Sequence, residues 1–116
     1  MDEILKQSLL YDFYGELLTE HQKEIYEQFI VEDLSLSEIA KDAGISRQGV
    51  HDLIKRCNKI LEEYEEKLHL VERFLSVKEK VHQINELLSE TTVDDTAESQ
   101  VMQSIRKISG EIIEEL

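Results

Sequence analysis

The chain has 116 residues, 41% of them hydrophobic and 34% charged, with a net charge of −13, which suits one small domain with an appendage and a modest core. No run of eighteen apolar residues occurs, the start Met1-Asp2-Glu3-Ile4 is acidic, and the single cysteine, Cys57, has no internal partner, so a membrane span is excluded and a cytoplasmic protein is expected. With no proline and four glycines, hairpin-rich and parallel-sheet folds lack their turn residues, and an all-α fold is expected.

Ile4, Leu5, Leu9, Leu10, Phe13, Leu17 and Leu18 recur at helical spacing and predict a first helix over about 2–18. Thr19, three residues before Gln22, has the reciprocal capping arrangement that opens a second helix, with Ile25, Tyr26, Phe29 and Ile30 inward and an end near Asp33. Ser35 and Glu38 repeat it for a short third helix whose inner face is Leu36, Ile39, Ala40 and Ala43. Gly44 closes that helix at low steric cost, Ile45 follows as the hinge, and Ser46 caps a fourth helix.

From Val50 the inward stripe reads Val50, Ile54, Cys57, Leu61, Tyr64, Leu68; from Leu70 it reads Leu70, Phe74, Val77, Val81, Ile84, Leu88 in a different phase. One helix over 46–89 would be roughly 65 Å long in a globule of radius of gyration about 13 Å, so a break is expected near His69. Thr91-Thr92-Val93-Asp94-Asp95-Thr96 reads as a loop, and Ala97, Val101, Ile105, Ile108 and Ile112 as the inner stripe of a last helix. Residues 1–68 are thus expected to form a four-helix unit, with its motif at about 35–60. Residues 69–116 form a helical hairpin whose apolar stripes exceed what two helices cover, predicting self-association as a homodimer.

Residues 36–55 meet the requirements of a helix-turn-helix in order. Ala40 is small where two backbones approach, Gly44 turns the chain four residues later, and Ile39, Ile45, Val50 and Leu53 anchor both helices. Charge supports the same place. Residues 1–45 and 62–116 each carry −8, whereas 46–61 carry +3. With the apolar stripe inward, the second helix turns Ser46, Arg47, Gln48, His51, Asp52 and Lys55 outward. Arg and Gln can pair bidentately with guanine and adenine edges, each contact worth about 1–3 kcal/mol of discrimination. Gly49 permits close approach to a base or sugar. Lys55, Arg56 and Lys59 follow where phosphates flank a groove, and Ser35, Ser37 and Lys41 are further phosphate candidates. The competing reading makes these cations surface partners of the abundant glutamates.

The runs Leu18-Thr19-Glu20-His21-Gln22, Ser37-Glu38-Ile39-Ala40 and Gly44-Ile45-Ser46-Arg47-Gln48 resemble region 4 of sigma-70-type factors, which reads the promoter −35 element. The fuller pattern resembles the small bacterial YlxM family of helix-turn-helix proteins. It adds the run from Leu10-Tyr11-Asp12-Phe13-Tyr14-Gly15 to Thr19, Asp52-Leu53-Ile54-Lys55-Arg56 and Tyr64-Glu65-Glu66-Lys67-Leu68. The resemblance implies a transcriptional regulator that binds double-stranded DNA, linked to the signal recognition particle pathway. The other class of function left open is a protein- or RNA-binding adaptor of the protein-targeting machinery, favoured by the acidic flanks.

Glu66 and His69, and Glu79 and His82, have the carboxylate–imidazole spacing of helical di-iron sites, but on one helix the pairs would lie roughly 20 Å apart. No metal site, cofactor or catalytic residue is assigned, and no enzyme is expected.

Overall fold

Side-chain caps set most of the element boundaries. The computed structural model describes residues 2–90 and 96–116. The Asp2 carboxylate accepts from the Ile4 amide and opens α1 (Glu3–Tyr14). Thr19 and Gln22 form the reciprocal cap of α2 (Glu20–Ile30), and Ser35 and Glu38 that of α3 (Leu36–Ala43). The Ser46 hydroxyl accepts from the Gly49 amide at 2.9 Å and opens α4 (Arg47–Leu68). α5 (Leu70–Glu90) and α6 (Thr96–Glu115) complete an all-α fold.

The chain divides into two compact units, Met1–Val71 and Glu72–Leu116. In the first, α4 is the central post against which α1, α2 and α3 pack. Val50, Ile54, Cys57 and Leu61 form its buried stripe, in the 4-3-4 spacing that its sequence predicts. Ile39 and Ala40 of α3 and Ile25 and Tyr26 of α2 close on it. The Tyr26 hydroxyl donates to the Asn58 side-chain carbonyl, and the Tyr11 and Tyr26 rings lie 5.5 Å apart.

The first helix is shorter than 2–18 and turns a different face inward. It ends at Tyr14 and continues as a 3₁₀ turn over Gly15–Leu17. Ile4, Leu5, Phe13 and Leu17 are exposed; Leu10 and Leu18 are buried as their spacing predicts, and Tyr11 and Tyr14 are buried beside them. Aromatic bodies account for the change. The Tyr11 ring lies so close over Gly15 that a Cβ there would stand 2.7 Å from a ring carbon. α2 likewise stops at Ile30, three residues short of the expected end, and Asp33 takes a positive φ of 57° in the connection to α3. Ala43, expected on the inner face of α3, is exposed.

The break near His69 is present. His69 is in the left-handed region (φ 55°, ψ 30°), and its amide donates to the Glu65 carbonyl. The first free amides of α5 are satisfied from elsewhere in the first unit. Leu70 N–H donates to the Tyr14 hydroxyl (3.1 Å), Val71 N–H to the Glu65 carboxylate (3.0 Å), and Tyr14 O–H to the same carboxylate (2.6 Å). Val71 is buried, while Leu68 and Leu70, both assigned inward from the sequence, are exposed.

In the second unit Val81 and Leu88 of α5 and Ser109 of α6 are buried, and the Arg106 guanidinium donates to the Leu88 carbonyl at 3.1 Å. The stripe Val101, Ile105, Ile108 and Ile112, assigned inward from the sequence, is exposed. The inner positions of α6 are Met102, Ser109 and Ile113. The expected loop at 91–96 lies outside the described residues except for Thr96, which begins α6. Among the described residues, no helix is long and apolar enough to cross a membrane.

Candidate nucleic-acid interface

The turn between α3 and α4 is built from one left-handed residue and one cap. Gly44 has φ 71° and ψ 27°, which a Cβ would strain. The amides of Gly44 and Ile45 both return to the Ala40 carbonyl (3.0 and 3.2 Å), and Ala40 itself is buried. Ser46 then restarts the chain as a helix. A Cβ on Gly49 would stand 3.1 Å from the Ser46 hydroxyl oxygen, so room for that cap is a reason for glycine at 49 that needs no ligand.

All ten residues singled out from the sequence are exposed: Ser35, Ser37, Lys41, Ser46, Arg47, Gln48, His51, Lys55, Arg56 and Lys59. They are not equivalent. Gln48, His51, Lys55 and Lys59 recur every three or four residues and share one outward stripe of α4. Arg47 stands at the helix start beside the turn. Arg56 points about 100° round from Lys55, onto the adjoining flank. Ser37 and Lys41 share a face of α3, four residues apart. Ser35 and Ser46 each accept one helix-cap hydrogen bond, which fixes the hydroxyl in place while leaving its proton to donate.

Among the described residues, no carboxylate oxygen lies within 4.0 Å of the side-chain nitrogens of Arg47, Lys55, Arg56 or Lys59. Their charges are thus not taken up by ion pairs, a condition they share with Lys6 and Lys41 of residues 1–45; what sets them apart is that four of them follow one another on one helix in a chain of net charge −13. By contrast Lys23, in the acidic part of the same unit, is bonded to Glu16, which raises its pKa. Asp52 is the one acid inside the basic segment, and it is committed to neighbours on its own helix. It accepts from the Gln48 amide at 2.9 Å and lies 3.6 Å from His51 Nδ1. Gln48 is therefore held by Asp52 until something displaces it. The sequence reading missed that bond, although the Gln–Asp spacing of four was its signal.

Behind the outward stripe the support is stiff. Asn58, also not singled out, fixes α4 to α2 through Tyr26. Phe29, Leu36 and Ile54 form an apolar floor beside His51 and Lys55, so the outward stripe borders a shallow groove where α2, α3 and α4 meet. Cys57, on the inner face, is fully buried, and burial pushes its thiol up to about 11 although Arg56 pulls the other way.

Residues 1–108 match the model of a family, UPF0122, described as "Putative helix-turn-helix protein, YlxM / p13 like". A UPF0122 protein of Caldanaerobacter subterraneus subsp. tengcongensis is 48% identical over 87 residues, covering 75% of this chain and 74% of the relative. One of Thermoanaerobacter sp. (strain X514) is 42% identical over 113 residues, covering 97% and 96%. One of Bacillus cereus (strain AH187) is 38% identical over 108 residues, covering 93% and 98%.

Proposed function

Because the chain belongs to the UPF0122 family of YlxM/p13-like helix-turn-helix proteins, we propose that it is a regulatory protein that reads double-stranded DNA and acts by binding, not by catalysis. The observation that carries this reading is the concentration of four exposed cations on α4, a net +3 over residues 46–61 of an acidic chain, directly after a glycine-turned, doubly capped α3–α4 pair. In a major groove, Arg47 and Gln48 reach base edges from the first turn of α4. His51 and Lys55 follow along the stripe, and Lys59, Arg56, Lys41 and Ser37 meet phosphates on either side. Ser35 and Ser46 contribute chiefly by fixing where α3 and α4 begin. Releasing Gln48 from Asp52 exchanges one hydrogen bond for another, so its cost is small against a bidentate base contact.

The test is selection of bound fragments from a random duplex pool, followed by titration of the recovered site at several salt concentrations. With about four phosphate contacts per head, log affinity falls against log salt with a slope near −3 to −4. Arg47→Ala flattens sequence preference, and Lys59→Ala weakens all sequences alike. If neither substitution changes affinity for any duplex, α4 is not the reading element.

A second reading is a protein- or RNA-binding adaptor of the targeting machinery, in keeping with the resemblance to proteins linked to the signal recognition particle. It is favoured by the −8 carried by residues 1–45, part of which lines a cleft of Glu16, Glu20, Glu24 and Glu27 around Lys23. Retention of a basic protein or a structured RNA, with no DNA retained, selects it.

A further inference from the structure

The cleft at Glu16 and the groove at Phe29 belong to surfaces already described; the face that the function leaves unused is in the second unit. On each of its helices the residues fall into two adjoining arcs. Along α5, Phe74, Val81 and Leu88 are partly or fully covered, while Val77, Ile84 and Leu87 on the neighbouring arc are open. Along α6, Ser109 is buried and Met102 and Ile113 are partly covered, while Val101, Ile105, Ile108 and Ile112 are open. A helix in a four-helix bundle meets two neighbours through two such adjoining stripes, whereas a helix in an isolated pair needs only one. We propose that the open arcs of α5 and α6 are the interface with a second copy of this chain, two units joining as one four-helix bundle.

Three observations name a second copy as the occupant. The helices match in length, 21 and 20 residues, as bundle members do. The seven open apolar residues, 38–65% exposed, leave roughly 600 Å² per copy uncovered, so a symmetric pair would bury about 1,200 Å², the low end of a standard stable interface. The open arcs are also oppositely edged. Arg73 and Lys80 interleave with the apolar residues of α5, and Glu111 and Glu115 border those of α6, so α5 of one copy suits α6 of the other. The benefit to DNA reading, two heads for one of about four cations, rests on the function proposed above; the association itself does not.

Sedimentation equilibrium of the full chain without DNA tests it. The expected result is a mass moving from 13.6 kDa to twice that value as concentration rises to about 100 µM. Ile105→Glu with Ile108→Glu leaves a monomer of unchanged helical circular dichroism. Arg73→Glu with Lys80→Glu weakens the dimer at least tenfold, and adding Glu111→Lys with Glu115→Lys restores it; this pair of variants settles the matter if the isoleucine variant loses helix. Arg47→Ala associates like the unaltered chain whether or not it reads DNA, which separates failure here from failure of the DNA reading. A chain still at 13.6 kDa at the highest concentration, or charge reversal without effect or without rescue, overturns the proposal.

Discussion

The two units are built from the same kinds of residue and differ in what they finish. In Met1–Val71 the large side chains Tyr14, Ile25, Tyr26, Ile39 and Leu61 are almost wholly buried, and hydroxyl and carboxylate groups cap the helix starts. In Glu72–Leu116 the buried apolar residues among those described are Val81 and Leu88, while stronger apolar stripes stay open. An amphipathic pattern reports that a face will be covered, not by what. α4 is covered by its own chain, whereas the stripe of α6, with the same 4-3-4 spacing, stays 38–59% exposed.

The strongest way to break this comparison is one truncation made in both units. Ile39→Ala removes a side chain with no exposed area, at an expected cost of about 2–5 kcal/mol in stability. Ile108→Ala, at a residue 56% exposed, changes the dilute protein by less than about 0.5 kcal/mol. All four tyrosines lie in the first unit and the chain has no tryptophan, so in urea unfolding tyrosine fluorescence reads the loss at Ile39, while helical circular dichroism, to which both units contribute, reads the loss at Ile108. Equal losses at the two positions would mean that the second unit is as closed as the first.

These contrasts also mark how far the sequence could be read. Caps were legible because they are local: Thr19–Gln22, Ser35–Glu38, Gly44 and Ser46 each act within three or four residues. The stripe of α4 was legible from Val50 to Leu61 because one unbroken helix carries it, but not at its end, where Leu68 is exposed. The face of α1 was not, because aliphatic spacing put Ile4, Leu5 and Phe13 inward while the phenol rings of Tyr11 and Tyr14 took the buried space. The cap on α5 was out of reach for another reason. It joins Tyr14 to residues more than fifty positions away, and no window on the sequence spans that distance.

That long-range cap gives the next largest effect. Tyr14→Phe leaves the Leu70 amide without its acceptor and removes a donor from Glu65, costing about 1–3 kcal/mol in urea unfolding. A larger drop in helical signal than in tyrosine fluorescence would locate the loss at the start of α5. The same hydroxyls set a pH dependence. Burial raises the pKa of Tyr11, Tyr14 and Tyr26, and for Tyr14 the Glu65 carboxylate adds to it. The folded state therefore keeps the neutral phenols while the unfolded chain ionises near pH 10.0. Stability from these groups is complete below that pH and falls as pH rises beyond it, an effect that Tyr14→Phe reduces.

The smallest effect is on reactivity, at the point where reading face and core share one helix. Cys57 lies next to Arg56, and a guanidinium beside an exposed thiol would lower its pKa and make it reactive. Burial outweighs that pull and holds the thiol near 11 against an ordinary 9.0. A shift of that size reduces the thiolate at pH 8 by about 100-fold, so alkylation by iodoacetamide is slower in buffer than in urea by at least that factor. Duplex DNA bound on the opposite face of α4 leaves the buffer rate unchanged or lowers it, because binding stabilises the closed helix and does not open the core. Equal rates in buffer and urea would mean that Val50, Ile54 and Leu61 do not form a closed stripe with Cys57, and the cations on the other side of α4 would lose the rigid support that aims them.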